Sequence, residues 1–247
     1  LPDLESRLQR VWTEVLGSTG ERQFSRLPLL WERVAEEWSG ALAAFVREDV
    51  VRLGNEGWEL VGLEEQAEGR IDLGGGTLLA VTARFDRRLE GPAGILVGDY
   101  KSAGNLPDRG KVLRMLRGQT LQVPLYWLIA GQGALVELLG VGPSFDFEEP
   151  DPLRAKRRVG FDGLAQSGVL EGFRETLRVL RGLVVRGRFP LSPNDWSCPR
   201  CPYEQACRRS HPPTVEREKN DRKTRAYYRL PDKTIKLPLL ELDEAEP

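Results

Sequence analysis

Three charged residues interrupt two stretches that otherwise read as β-strands, and they constrain this chain more than any other feature. Residues 77–86 (TLLAVTARFD) and 95–101 (ILVGDYK) carry the aliphatic and β-branched side chains that suit a pleated sheet. A turn at 89–94 (LEGPAG) joins them. Side chains alternate along a strand, so Asp99 and Lys101 share one face while Tyr100 takes the other. Pairing the two strands as a hairpin brings Asp86, in ARFDRR (83–88), beside Asp99.

Adjacent carboxylates repel each other, and the pair persists comfortably when a cation or a proton lies between them. Magnesium takes oxygen ligands in octahedral geometry and keeps several waters. Held by Asp86 and Asp99, it would activate a water for attack on phosphorus. Lys101 would orient that water or offset charge on the phosphoryl oxygens. The plain alternative is two solvent-facing acids at a hairpin end with a lysine beside them. Two further features favour the chemistry. Gln122 and Tyr126, in QVPLY (122–126), stand four residues apart and so share a helix face; the ordinary alternative is a polar pair on a partly buried helix. The second feature is the cysteines.

All three cysteines fall in SCPRCPYEQACRRSH (197–211), spaced C-x2-C-x5-C, and no signal peptide is evident. A disulfide framework does not suit such a chain. Cys198, Cys201 and Cys207 suit an iron–sulfur cluster, which takes four cysteine ligands. His211, separated by three residues from Cys207, offers instead a Cys3His zinc site. Three free thiols are the remaining reading, and spacing alone does not choose between the metals.

Together these motifs resemble those of the PD-(D/E)XK nuclease superfamily, in its RecB-like and AddB-like iron–sulfur branch, over about residues 58–211. The family's G-x-x-D-R motif is matched by ARFDR (83–87), with Ala83 in place of glycine. Its D-x-K motif is matched by Asp99, Tyr100 and Lys101, and its Q-x-x-x-Y motif by Gln122 and Tyr126. Glu64, in VGLEEQ (61–66), best matches the upstream strand glutamate, with Glu65 as rival. The resemblance implies a restriction-endonuclease-like α/β fold, a mixed central sheet flanked by helices with a cysteine-stapled C-terminal segment. It implies Mg2+ or Mn2+ on Asp86, Asp99 and the Tyr100 carbonyl, and Gln122 and Tyr126 at the scissile strand. It also implies a [4Fe-4S] cluster on Cys198, Cys201 and Cys207.

The partners so implied are single-stranded DNA or duplex DNA ends and a helicase domain or subunit in recombination repair. The alternative role is a catalytically silent DNA-binding scaffold with a structural cluster. The fourth cysteine and the upstream histidine that relatives carry are missing, and the chain opens on Leu1. It therefore reads as a piece of a longer polypeptide.

At 247 residues and a formal net charge of −1, the chain can bury one sizeable core and is not coated in basic surface. Nucleic-acid contact must then come from local patches, RAKRR (154–158) or the basic run of 208–225. No apolar run approaches a membrane span, so the chain reads as cytoplasmic with no membrane partner. Gly94 to Ser102 fails the spacing of a phosphate-binding loop.

Apolar periodicity predicts helices over 3–16 and 28–53, with a Gly-Ser-Thr-Gly break at 17–20. Strands follow over 58–101, with a hairpin turn at Gly74-Gly75-Gly76. A helix over 108–130 is expected to bend or break at Pro124. A buried strand follows at 134–141, a loop at 144–152 and a helix over 162–187. KLPLLEL (236–242) reads as an edge strand or a docking segment. The expected organisation is a helical region (1–57), nuclease core (58–190), cysteine segment (191–215) and charged tail (216–247).

Overall fold

Five strands make one sheet in the order β1-β2-β3-β4-β5: β1 Glu59–Asp72, β2 Leu78–Gly91, β3 Gly94–Ser102, β4 Leu135–Val141 and β5 Arg158–Phe161. The computed structural model describes residues 2–23, 28–102, 114–131, 133–142, 158–161, 167–192, 198, 201–203 and 206–232. β1, β2 and β3 form an antiparallel meander, β3 and β4 run parallel, and β5 returns antiparallel on β4. The helices are α1 Pro2–Gln23, α2 Pro28–Glu56, α3 Gln122–Ala130, α4 Ser167–Val185, α5 Pro212–Asn220 and α6 Arg225–Tyr228. This is the expected mixed sheet flanked by helices.

A parallel pair needs cover on both faces, and the alternation of β3 and β4 supplies two apolar surfaces. Val97, Val136 and Leu138 pack with Phe85, Val123, Tyr126, Trp127, Phe173 and Leu177, so α3 and α4 cover one face. The opposite face meets α2, where the Tyr100 ring stands edge-on to Phe45 at 6.0 Å.

That second face holds a buried ion network. Arg87 donates to Glu137 Oε1 at 2.6 Å and grips both carboxylate oxygens of Asp49 on α2. Arg52 donates to Asp49 at 2.8 Å and to Glu137 at 3.3 Å. Arg87 and Glu137 are 2% and 0% exposed. Charges this deep are tolerated only when paired and hydrogen-bonded. The Arg87 side chain must cross β3 to reach Glu137, and Gly98 lets it pass. A Cβ at Gly98 would stand 2.8 Å from Arg87 Cγ and Nε.

Several sequence expectations change. α1 continues through the expected break at 17–20, because an interior glycine lowers helix propensity by about 1 kcal/mol without forbidding helical angles. β2 extends to Gly91, which shortens the second turn to Pro92 and Ala93. The helix expected over 108–130 divides: residues 114–116 are helical, Gly118 takes φ 86°, and α3 starts afresh at Gln122. Pro124 therefore falls in a first turn, where its missing N–H leaves no intrahelical bond unmade, and no kink results. Arg158, the last residue of the basic run 154–158, opens β5, and the charged segment after His211 forms α5 and α6. The loop at 144–152, residues 154–157 of the basic run and KLPLLEL lie outside the described residues.

Burial raises the Asp49 pKa, but hydrogen bonds and charge from Arg87 and Arg52 outweigh it and hold the carboxyl below its usual range. A depressed folded-state pKa gives stability that is present above the unfolded value, near 4, and lost as pH falls through the folded value. Asp49→Ala is expected to cost about 3 kcal/mol in urea denaturation at neutral pH. It should also flatten the acid limb of the stability–pH curve.

Candidate active site

β2 and β3 pair from Gly91↔Gly94 only as far as Arg87↔Gly98 and then part, while β3 continues along β4 to Ser102↔Val141. The parting leaves the backbone N–H of Tyr100 without a strand partner on the β2 side. Asp86 takes the place of the missing ladder bond, its Oδ2 accepting from Tyr100 N at 2.7 Å. A strand residue presents its N–H and C=O to the same side, so the Tyr100 carbonyl also faces the Asp86 side.

The strand turns over at this point. Phe85 packs edge-to-face on Tyr126 of α3 with ring centroids 5.0 Å apart, whereas Arg87, two residues on, reaches α2. Across the ladder, Leu63↔Arg87 and Glu65↔Phe85 leave Glu64 opposite Asp86. Glu64 is the one non-glycine residue with positive φ, 49°, among the described residues. Local strain of this kind concentrates at functional sites.

Asp99 and Lys101 share a face, as alternation requires, and form an ion pair. Gln122, on the first turn of α3, bridges them: its Oε1 accepts from Lys101 Nζ at 2.8 Å and its Nε2 donates to Asp99 Oδ1 at 2.5 Å. Gln122 Nε2 also lies 2.8 Å from the Tyr126 hydroxyl, which in turn donates to the Arg84 carbonyl at 2.6 Å. The structure thus gathers Asp86, Asp99, Lys101, Gln122 and Tyr126, and the Tyr100 backbone, at one end of the sheet. Glu64 stays at the rim, exposed and paired with Arg84 at 3.0 Å, while Glu65 lies 3.8 Å from Arg88.

Burial and the negative charge of Asp86 push the Asp99 carboxyl up, against the pull of Lys101 and the Tyr126 hydroxyl. Asp99 is 2% exposed, and its Oδ2, though in ion-pair contact with Lys101, receives no well-directed hydrogen bond. A hard cation would satisfy that oxygen and relieve the repulsion, so the two carboxylates fit a divalent metal. Among the described residues no group of three or more His, Cys, Asp or Glu is gathered to hold one. Tyr126 keeps its proton: burial and the charges of Asp99 and Asp86 raise its phenol, although Gln122 opposes them. It therefore remains a donor to Arg84.

The PD-(D/E)XK nuclease superfamily model matches residues 1–208. The chain belongs to the PD-(D/E)XK nuclease superfamily. Comparison with curated protein sequences gives no match. The sheet and its helices are thus the restriction-endonuclease-like fold of that superfamily, whose members generally use Mg2+ or Mn2+ and act on DNA.

The cysteines stand apart from this site. Cys198, Cys201 and Cys207 are free and half-buried. Cys201 N donates to Cys198 O, and Cys207 N donates to Tyr203 O. His211 Nδ1 lies 2.8 Å from Thr214 Oγ1. Among the described residues, no group of three or more His, Cys, Asp or Glu is drawn together at these thiols.

Sequence reasoning assigned no role to Arg87, Asp49 or Glu137, which hold the site strands from behind. One signal was available. Glu137 sits inside the apolar run ALVELLGV (134–141), and a carboxylate at the middle of a buried strand calls for a buried cation.

Tyr126→Phe deletes the hydrogen bond to Arg84 O and the acceptor beside Gln122 Nε2. It is expected to lower stability by about 1–3 kcal/mol, read in urea, because buried polar partners are left unmatched.

Proposed function

We propose that this chain is a metal-dependent deoxyribonuclease that hydrolyses phosphodiester bonds at DNA ends, as the nuclease domain of a RecB-like or AddB-like helicase–nuclease in recombination repair. The observation that carries the reading is the convergence of Asp86, Asp99 and Lys101 where β2 leaves β3, with Gln122 bridging Lys101 and Asp99. The core assigned to this activity is residues 58–190, within a cytoplasmic protein.

Asp86, Asp99 and the Tyr100 carbonyl would hold Mg2+ or Mn2+, which supplies Lewis acidity and a nucleophilic water at neutral pH. The remaining work falls to the chain. Lys101 presents its ammonium to the attacked phosphoryl group, where negative charge grows as water attacks and the P–O ester bond breaks. Gln122 fixes that ammonium through Oε1 and Asp99 through Nε2, so both are set before substrate arrives. Tyr126 locks Gln122 to β2 through the Arg84 carbonyl. Glu64, opposite Asp86, is the candidate for a further carboxylate once freed from Arg84.

We assign Cys198, Cys201 and Cys207 three of the four ligands of a [4Fe-4S] cluster that staples the segment 191–215. The support is the C-x2-C-x5-C spacing, and Cys3His zinc through His211 is the alternative. Anaerobically purified protein should absorb near 400 nm and contain iron rather than zinc. Colourless protein carrying one zinc would reverse that assignment.

The activity is tested on end-labelled single- and double-stranded linear DNA with Mg2+, Mn2+ or chelator. Cutting is expected with either metal and not with chelator. Asp99→Asn and Lys101→Ala should each lose at least about a hundredfold in rate while still unfolding cooperatively as folded proteins. Retained cutting by either folded variant would sink the catalytic assignment.

A further inference from the structure

The described residues from Ala206 to Asp232 carry eight Lys and Arg against four Asp and Glu, in a chain whose net charge is −1. Along the sequence the acids alternate with the bases, which suggests mutual neutralisation. The fold withdraws one acid and engages two exposed ones in local hydrogen bonds.

Glu218 turns inward, accepting from Leu191 N at 2.9 Å and from the Tyr228 hydroxyl at 2.5 Å. Asp221 accepts from the Lys223 backbone N–H at 2.9 Å, and Glu216 accepts from Asn220 at 2.7 Å. Arg208, Lys219, Arg222, Lys223, Arg225 and Arg229 are left exposed, and none is ion-paired among the described residues.

This basic surface is fastened close to the nuclease site. Tyr228 and Leu230 are buried, 8% and 4% exposed, and α6 packs on α4. Leu230 and Leu180 close over Gly118, where an added Cβ would stand 3.7 Å and 3.1 Å from their Cδ1 atoms. Thr176 of α4 donates to the Leu116 carbonyl of the same turn at 2.9 Å. Gln122 begins α3 four residues after Gly118, so the module rests on the turn from which the site helix departs.

We propose that residues 206–232 form a DNA-backbone clamp that holds the substrate strand outside the catalytic cleft. The polymer's identity rests on the nuclease reading above; the clamp itself rests on the exposed bases. Guanidinium groups match phosphate in geometry as well as charge. Contacts of this kind give affinity without sequence preference. An acidic protein partner fits less well. Between Ala206 and Asp232 the exposed side chains include no large apolar residue, whereas protein interfaces centre on buried aromatic or aliphatic anchors.

The test is binding of a fluorescent DNA duplex by the whole chain in chelator, so that nothing is cut, over a salt titration. The triple variant Arg222→Ala, Lys223→Ala, Arg225→Ala should bind at least about tenfold more weakly near 0.1 M salt. Its log K against log salt slope should be shallower by about 0.9 for each phosphate that the variant no longer neutralises. Removing the same charge elsewhere, with Arg7→Ala, Arg10→Ala and Arg33→Ala on α1 and α2, should leave the slope unchanged. Arg222→Lys with Arg225→Lys should keep most of it. An unchanged slope in a triple variant that melts like wild type would overturn the clamp while wild-type cutting leaves the nuclease standing. Tighter binding to polyglutamate than to DNA, abolished in the triple variant, would assign the surface to an acidic polypeptide and also overturn it. Wild-type protein that neither binds nor cuts DNA would remove the nuclease reading and the clamp together.

Discussion

The arrangement of this molecule depends on one buried cation. Arg87 ties β2, on which it sits, to β4 through Glu137 and to α2 through Asp49, and its guanidinium lies 5.5 Å from the centre of the Tyr100 ring on β3. Each of these groups would be costly to bury alone, so the network is stable only when complete. Burial works against the Arg87 charge, yet the bonds from Asp49 and the charge of Glu137 hold its pKa above even the usual guanidinium range. Arg87 is therefore a permanent cation, and it fixes the strand position next to Asp86. The same requirement explains Gly98. Any side chain there would meet Arg87, so the glycine before Asp99 answers to packing behind the sheet, not to chemistry in front of it.

The candidate site grows from an interruption in regular structure. Had β2 and β3 stayed paired beyond Arg87↔Gly98, the Tyr100 N–H would have bonded to strand backbone and Asp86 would have been one more edge carboxylate. Because they part, Asp86 completes the ladder with its side chain and is held beside Asp99. The pair is poised rather than relaxed. One Asp99 oxygen is satisfied by Gln122; the other contacts Lys101 without a well-directed hydrogen bond. Buried carboxylates in such a state are ready for an incoming cation, and Gln122 gives the Lys101 ammonium a second partner when that cation competes for Asp99.

The sequence made this legible to an uneven degree, and the unevenness has physical causes. Asp86, Asp99 and Lys101 were readable because period-two alternation fixes which strand residues face together. Gln122 and Tyr126 were readable because i,i+4 spacing fixes a helix face. The helix break before Gln122 was not, because an interior glycine does not by itself end a helix and Pro124 points to the wrong turn; the positive φ of Gly118 decides the boundary. β5 was hidden because Arg158 and its neighbours read as a charged run, and a short strand is specified by the β4 edge it joins more than by its own residues. The Arg87 network was hidden for a related reason. Asp49, Arg87 and Glu137 lie on three separate elements, and the carboxylate inside the apolar run at Glu137 calls for a buried cation without naming which one.

Two carboxylates and a polyanionic substrate set a problem that this site alone does not solve. Asp86 and Asp99 repel a phosphodiester backbone until a cation joins them, and Lys101 is already committed to Asp99 and Gln122. Substrate capture must then draw on positive charge outside the cleft, yet the chain as a whole carries none in excess. The C-terminal helices ease the conflict. Glu218 directs its charge inward, while Asp221 and Glu216 accept local hydrogen bonds, which leaves exposed bases in excess on a nearly neutral protein. Because Leu230 rests against Gly118, at the root of the site helix, the proposed clamp would be anchored to the turn from which that helix departs. The proposed clamp and the acidic pair would then divide the two tasks, linked through Gly118 and the Gln122 contact with Asp99.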